Sequence, residues 1–155
     1  MGRKSRDSRR TRVAPAAPAA EPVPDRSQAL AAAALGWVVP GGGHLWLARR
    51  QKGLVFLVAI TLMFAIGLGL GGRLFPFDSG QPLVLLAAFA DLGNGLPYLV
   101  ARVAGLGEGR VVAESFEYGN TFIIVSGLLN MLVALDAYDV ALGRRQGSAP
   151  QASAP

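Results

Sequence analysis

Asp91 is the residue that most invites a chemical reading. It stands at the centre of PLVLLAAFADLGNGLPYLVA (82–101), a stretch with no other charge. An aspartate in mid-membrane costs about 2.5–3.5 kcal/mol, so an intramembrane acid is by default a candidate ion or proton site. Its neighbours supply another reading. Gly93-Asn94-Gly95 should end a helix, which puts Asp91 in the last turn. There its carboxylate can accept from Asn94 or from free backbone N–H groups, and turn anchoring is the preferred expectation.

Asp136 and Asp139 form the other acidic pair, i and i+3 on one helix face, with Arg144 and Arg145 close behind. A charge-balanced helix end is expected over a carboxylate pair that holds a cation or proton. Tyr138-Asp139 is similar to one element of intramembrane aspartyl proteases, but the Gly-x-Gly-Asp element is missing, so proton sharing between two aspartates has no support. Asn130 sits on a stripe of small residues, Ser126, Asn130, Ala134, Ala137 and Ala141, and Gly67 and Gly71 make a Gly-x-x-x-Gly. Both are expected to be close-packing faces, with an interhelical hydrogen bond from Asn130. His44 follows a glycine turn and is expected to cap backbone rather than bind a ligand or sense pH.

Other chemistry is excluded by what the chain lacks. It has no cysteine and one histidine, so disulfides, thiolate metal sites, multi-histidine metal sites and a cysteine nucleophile are out. The glycine runs follow no strand and precede no Lys-Ser/Thr pair, so they are not phosphate loops. No cofactor is implied. Apolar residues make up 52% and charged residues 16% of the 155. Soluble domains carry about 25% charge, so the deficit points to a bilayer.

Four apolar segments must position these residues: 29–48, 53–72, 82–101 and 121–140. A span needs about 20 apolar residues. The second segment qualifies outright and the fourth nearly so. The first and third are each broken by glycines after about eleven residues, which rise only about 16 Å. They are expected to be bent spans, half-helices, or helices whose second half lies along the interface. The expected class is all-α, a helical membrane domain over 27–145 built as two similar hairpins.

The two broken segments align at an offset of 52 residues. Trp37 falls on Phe89, Gly41 on Gly93, Gly43 on Gly95, Trp46 on Tyr98, Arg50 on Arg102 and Gly53 on Gly105. This reads as an internal duplication. After Pro40 the unit predicts a glycine turn, an aromatic at headgroup level and an arginine snorkelling to the interface.

GGGHLWLARRQKGLVFL resembles the turn of the TM-two domain, a module of two transmembrane helices; Gly43, His44, Trp46, Leu47 and Gly53 match, and Ala48 replaces the usual glycine. Residues 28–145 also resemble a family of small bacterial multi-pass membrane proteins of unknown function. The matching blocks are the VPGGGHLWLAR turn, Asp91–Tyr98, Glu117–Phe122 and Leu135–Ala141. The resemblance implies a membrane fold and no activity.

Residues 1–26 read as a disordered arm. Six basic residues lie within 3–12, and a Pro/Ala tract follows. The arm is expected to set orientation and touch anionic lipid; without interleaved aromatics, nucleic acid is disfavoured. Residues 146–155 read as a disordered tail. Two equal hairpins would place ten basic residues on the face of the termini and five on the other, which favours cytoplasmic termini, in a bacterial inner membrane. The expected function is that of a non-enzymatic membrane scaffold or partner-binding subunit, acting on another membrane protein or a second copy. The alternative is a small transporter, channel or proton-coupled subunit that uses its carboxylates.

Overall fold

The structure is a computed structural model that describes residues 26–78 and 80–143. The arm up to Asp25, the tail, and Arg144 and Arg145 lie outside the described residues. Arg26, read as the end of the arm, is instead the first residue of a helix.

All regular structure among the described residues is helical. α1 spans Arg26–Val38, α2 Gly42–Trp46, α3 Arg50–Gly69, α4 Pro82–Leu92, α5 Leu96–Val103 and α6 Phe116–Ala141. α3 and α6 are long and apolar enough to cross a membrane, with mean hydropathies of 2.1 and 1.7. At 1.5 Å per residue they measure about 30 and 39 Å, against a hydrocarbon core of about 30 Å. The pair α4 and α5 would count as a third only as one span, and it is bent by 108°.

The sequence explains the breaks. α3 ends where Gly71 takes φ +86° and the Gly72 N–H returns to Gly67 O. α4 starts with Pro82 in its first turn, where a missing N–H costs nothing, and stops at Gly93. Between α4 and α5, Gly95 adopts φ +62°, ψ −123°, which L side chains avoid. A Cβ there would also strike Trp37 O at the end of α1.

α3 and α6 pack antiparallel. Gly67 lies against Gly119 and Ile123 near the start of α6, while Lys52 reaches Asp136 near its end. The molecule therefore has a Gly119 end and an Asp136 end. α1 runs inward from the Asp136 end: Ala32 and Gly43 meet beside Ala137, Gly36 lies on Ala134, and Trp37 O meets Asn130. α2 then brings His44 back to Asp136.

The second broken segment behaves likewise at the other end. The Leu74 N–H, before it, donates to Gly107 O, after it, at 2.8 Å. A stretch whose two ends are hydrogen-bonded to each other cannot join opposite ends of a bundle. The Gly71 carbonyl accepts from Arg110, and the Leu70 carbonyl from Ser115, which close the same base.

Two equal transmembrane hairpins are thus not what the chain forms. The segments 29–48 and 82–101 are each a helix pair that turns back, and only α3 and α6 run end to end. The 52-residue units become α1–α3 and α4–α6, each a turned-back pair followed by one long helix. Because α3 and α6 are antiparallel, the units are inverted relative to each other. Gly67 packs on α6 as its motif suggests, but Gly71 lies past the helix end and faces Arg110.

Candidate functional site: a buried polar clasp

The polar residues of the interior gather where the two turned-back pairs meet the middle of α6. Asp91, Asn94, Ser126 and Asn130 are all 0% exposed. The glycine beside them permits this approach: a Cβ on Gly127 would collide with Ala90 O and press on Asn94.

Asn130 is the hub. Its side-chain amide donates to Trp37 O at 2.9 Å and to Gly93 O at 2.8 Å. Those carbonyls belong to the last turn of α1 and the turn after α4, where a helix leaves acceptors without partners. One side chain thus ties both units to α6, as the small-residue stripe suggested. Ser126, Ala134 and Ala137 on the same stripe are buried in that interface.

Asn94 donates to Asp91 O and to Ile123 O, both at 3.1 Å. Ser126 Oγ lies 2.7 Å from Asn94 Oδ1 and 2.7 Å from Ile123 O, so its proton serves one at a time. Asp91 Oδ2 accepts the Phe75 N–H at 2.8 Å. Its carboxylate therefore anchors the segment before α4, and Asn94 donates to the Asp91 carbonyl instead. Oδ1 of Asp91 and Oδ1 of Asn130 are buried without a hydrogen-bond partner among the described residues.

A second, ionic cluster lies at the Asp136 end. His44 Nε2 stands 3.0 Å from Asp136 Oδ2, and Lys52 Nζ 3.5 Å from the same oxygen. The His44 ring tilts against Phe56, with centroids 5.3 Å apart. Burial holds the imidazole below the ordinary histidine value; Asp136 pulls it up, while Lys52 and Arg49 push it down. The expected backbone cap is not formed: the Gly41 turn already bonds the His44 and Leu45 N–H groups, so the ring is free to reach α6. Asp139, one turn further on, is half-buried.

The turn residues divide. Trp46 is exposed at the end of α2, and Arg50 is exposed at the start of α3. Pro40 and Gly43 are buried where α2 folds onto α1, and Gly53 is buried against Leu45. Tyr98 is a correction: it is 5% exposed and packs in a core with Phe64, Leu74 and Ile123, because it lies with Ala101 on the one buried face of α5, whose other face (Leu96, Leu99, Val100, Val103) is exposed. Arg102 stays exposed with its guanidinium 5.9 Å from the Tyr98 ring centre.

Reading the sequence missed Phe75 as the donor to Asp91, Lys52 as a partner of Asp136, and Asn120, whose Oδ1 accepts the Arg73 N–H at 2.8 Å. Asn120 lies in the EYGNTF block, which was the one signal available. The acids do not converge. Asp136 lies thirteen residues along α6 from Ile123, the residue under Asn94, or about 20 Å. No group of three or more His, Asp or Glu residues able to hold a metal occurs among the described residues.

No curated protein and no solved structure matches this chain. Residues 31–147, from within α1 to beyond α6, match a family described only as of unknown function, DUF6677, and the chain belongs to that family.

Proposed function

We propose that this is a non-enzymatic integral membrane protein, a scaffold or partner-binding subunit, in which α3 and α6 span the bilayer and the two turned-back pairs enter it from opposite faces. The observation that carries the membrane reading is the inverted distribution of polarity. Asp91, Asn94 and Asn130 are fully buried, whereas Leu54, Val58, Leu83, Leu132 and Leu135 are more than half exposed. That pattern suits a lipid solvent, where internal polar groups must bond to one another.

The orientation follows from charge. The arm's six basic residues, Arg26, Arg49, Arg50, Lys52, Arg144 and Arg145 belong to the chain at or leading to the Asp136 end; only Arg73, Arg102 and Arg110 belong to the other. Twelve against three is a stronger bias than the two-hairpin arrangement allowed, and it makes the Asp136 end cytoplasmic.

Scaffolding is favoured over transport because Asp91 and Asp136 belong to separate clusters, one at the Asn94 turn and one at the α6 end, each bonded within the fold. A groove of about 560 Å³ between α4 and α6, lined by Val84, Ala87, Ile124, Leu128 and others, offers a partner an apolar face. Transport keeps one supporting observation, the unpartnered Oδ1 of Asp91.

Single cysteines on this Cys-free chain test the arrangement. Ser5→Cys and Gln51→Cys should label from the same side of sealed vesicles, and Val112→Cys from the other. Opposite labelling of positions 5 and 51 would refute the re-entrant first pair. Release of the chain by alkaline carbonate would sink the membrane reading. For function, the tagged protein and Asp91→Asn should retain the same membrane partners in detergent. A stable Asp91→Asn protein that fails to complement a deletion phenotype would instead favour transport.

A further inference from the structure

A groove between α3 and α5, separate from the clasp, ends in a basic recess. It measures about 410 Å³ and is lined almost wholly by apolar atoms, among them Leu57, Phe64, Ala65, Leu68 and Val100. Its deep end is closed by Val39 and Pro40, the tip of the α1–α2 pair, and by Leu96 and Pro97. Its other end reaches Leu106, which also walls a polar recess of about 390 Å³ formed with Arg73, Arg102, Gly105 and Glu108. Leu68 and Leu106 border a further recess that holds Arg110.

Length identifies the occupant. From Leu57 to Leu68 the groove follows eleven residues of α3, about 16 Å. That is about half of the hydrocarbon core and so the depth of one leaflet. A transmembrane helix of a partner, or of a second copy, needs twice that length and would meet Val39 and Pro40 at mid-depth. A single acyl chain ends there.

Charge identifies the headgroup. No ion pair to a carboxylate within 4 Å is formed by Arg73, Arg102 or Arg110 among the described residues, and Arg102 and Arg110 are exposed. A guanidinium fork suits a phosphate. Glu108 in the same recess limits the excess charge and disfavours a headgroup of high negative charge.

We infer that this groove and recess bind one anionic phospholipid of the leaflet at the Gly119 end, with an acyl chain along α3 and its phosphate at Arg73 and Arg102. The inference rests on the proposed membrane insertion of α3. It is distinct from lipid contact by the N-terminal arm, which joins the opposite end.

The test is native mass spectrometry of the full chain in detergent, with phosphatidylglycerol and phosphatidylcholine of identical chains supplied in equal amounts. One bound phosphatidylglycerol should be retained at least about tenfold over phosphatidylcholine. Arg73→Gln with Arg102→Gln should abolish the preference. Ala65→Trp, at an exposed position in the groove, should abolish retention of both lipids while leaving the thermal transition within a few degrees. Deleting residues 1–25 should leave the preference unchanged. Equal retention of the two lipids by the unaltered protein would overturn the inference, as would equal stabilisation by inorganic phosphate alone, or full retention by Ala65→Trp. Retained helix-sized mass from a second copy at the groove would replace the lipid with a protomer. A chain that carbonate extraction releases fails the membrane reading itself; a carbonate-resistant chain without lipid preference fails only this inference.

Discussion

The two turned-back pairs follow one backbone plan and are held by different chemistry. α1–α2 is fastened at its exit by His44 on Asp136, an oxygen of which Lys52 at the start of α3 also approaches. α4–α5 is fastened at its tip by neutral groups, Asn94 with Ser126 and Ile123 O, and by the Asp91 carboxylate on Phe75 N–H. Both pairs turn at a glycine of positive φ, Gly41 and Gly95. The anchors do not align: Leu96 occupies the His44 position in the second unit. Two similar chain paths are thus held by different fasteners. Among the described residues, the Asn130 side chain is hydrogen-bonded to both pairs.

That comparison breaks most readily at Asn130. Asn130→Leu removes both donors at once and strands Trp37 O and Gly93 O. At about 1–3 kcal/mol for each buried group left unpaired, the loss should reach about 2–6 kcal/mol. Thermal unfolding in detergent should show the drop, and hydrogen exchange should show lost protection in both pairs. Loss confined to one pair would disprove the shared tie.

Asp91 sharpens the difference on one side. Asp91→Asn keeps an acceptor for the Phe75 N–H and should be nearly silent in thermal stability. Asp91→Leu should cost about 1–3 kcal/mol, with exchange rising around residues 75 and 91–95 only. Equal tolerance of both would show that this bond anchors nothing.

The smallest effect belongs to the ionic side. Lys52 is about half exposed, and such pairs contribute about 0.2–1 kcal/mol. Lys52→Met should therefore shift stability by less than about 1 kcal/mol, and the shift should shrink at high salt. A larger, salt-independent loss would mean that packing of the lysine stem, not charge, joins the start of α3 to α6 beside the first pair.

Much of this was legible in the residues. The uncharged run from 53 marked α3, and the glycine clusters after Val38 and Leu92 marked both turns. Asn130 and its small-residue stripe marked the central interface. What the sequence could not carry was the direction taken after each turn. A broken apolar segment of twenty residues reads the same whether it crosses or returns. The decision lies in contacts between distant positions, Leu74 with Gly107 and His44 with Asp136. Tyr98 was misread for a related reason: α5 has one buried and one exposed face, and an aromatic's place after a turn does not say which face it takes. Phe75 was invisible because its part is played by a backbone N–H, which any residue but proline supplies.

The Asn130 clasp also sets an order of events. Its partners Trp37 and Gly93 precede it by 93 and 37 positions, so both emerge from the ribosome well before it does. Until α6 arrives, the carbonyls that end α1 and follow α4 have no such donor, and neither pair has the helix on which it rests. Contacts so distant along the chain are paid for late, after the loops that join them have closed. Each pair therefore lacks its shared tie to α6 until the last helix has been made.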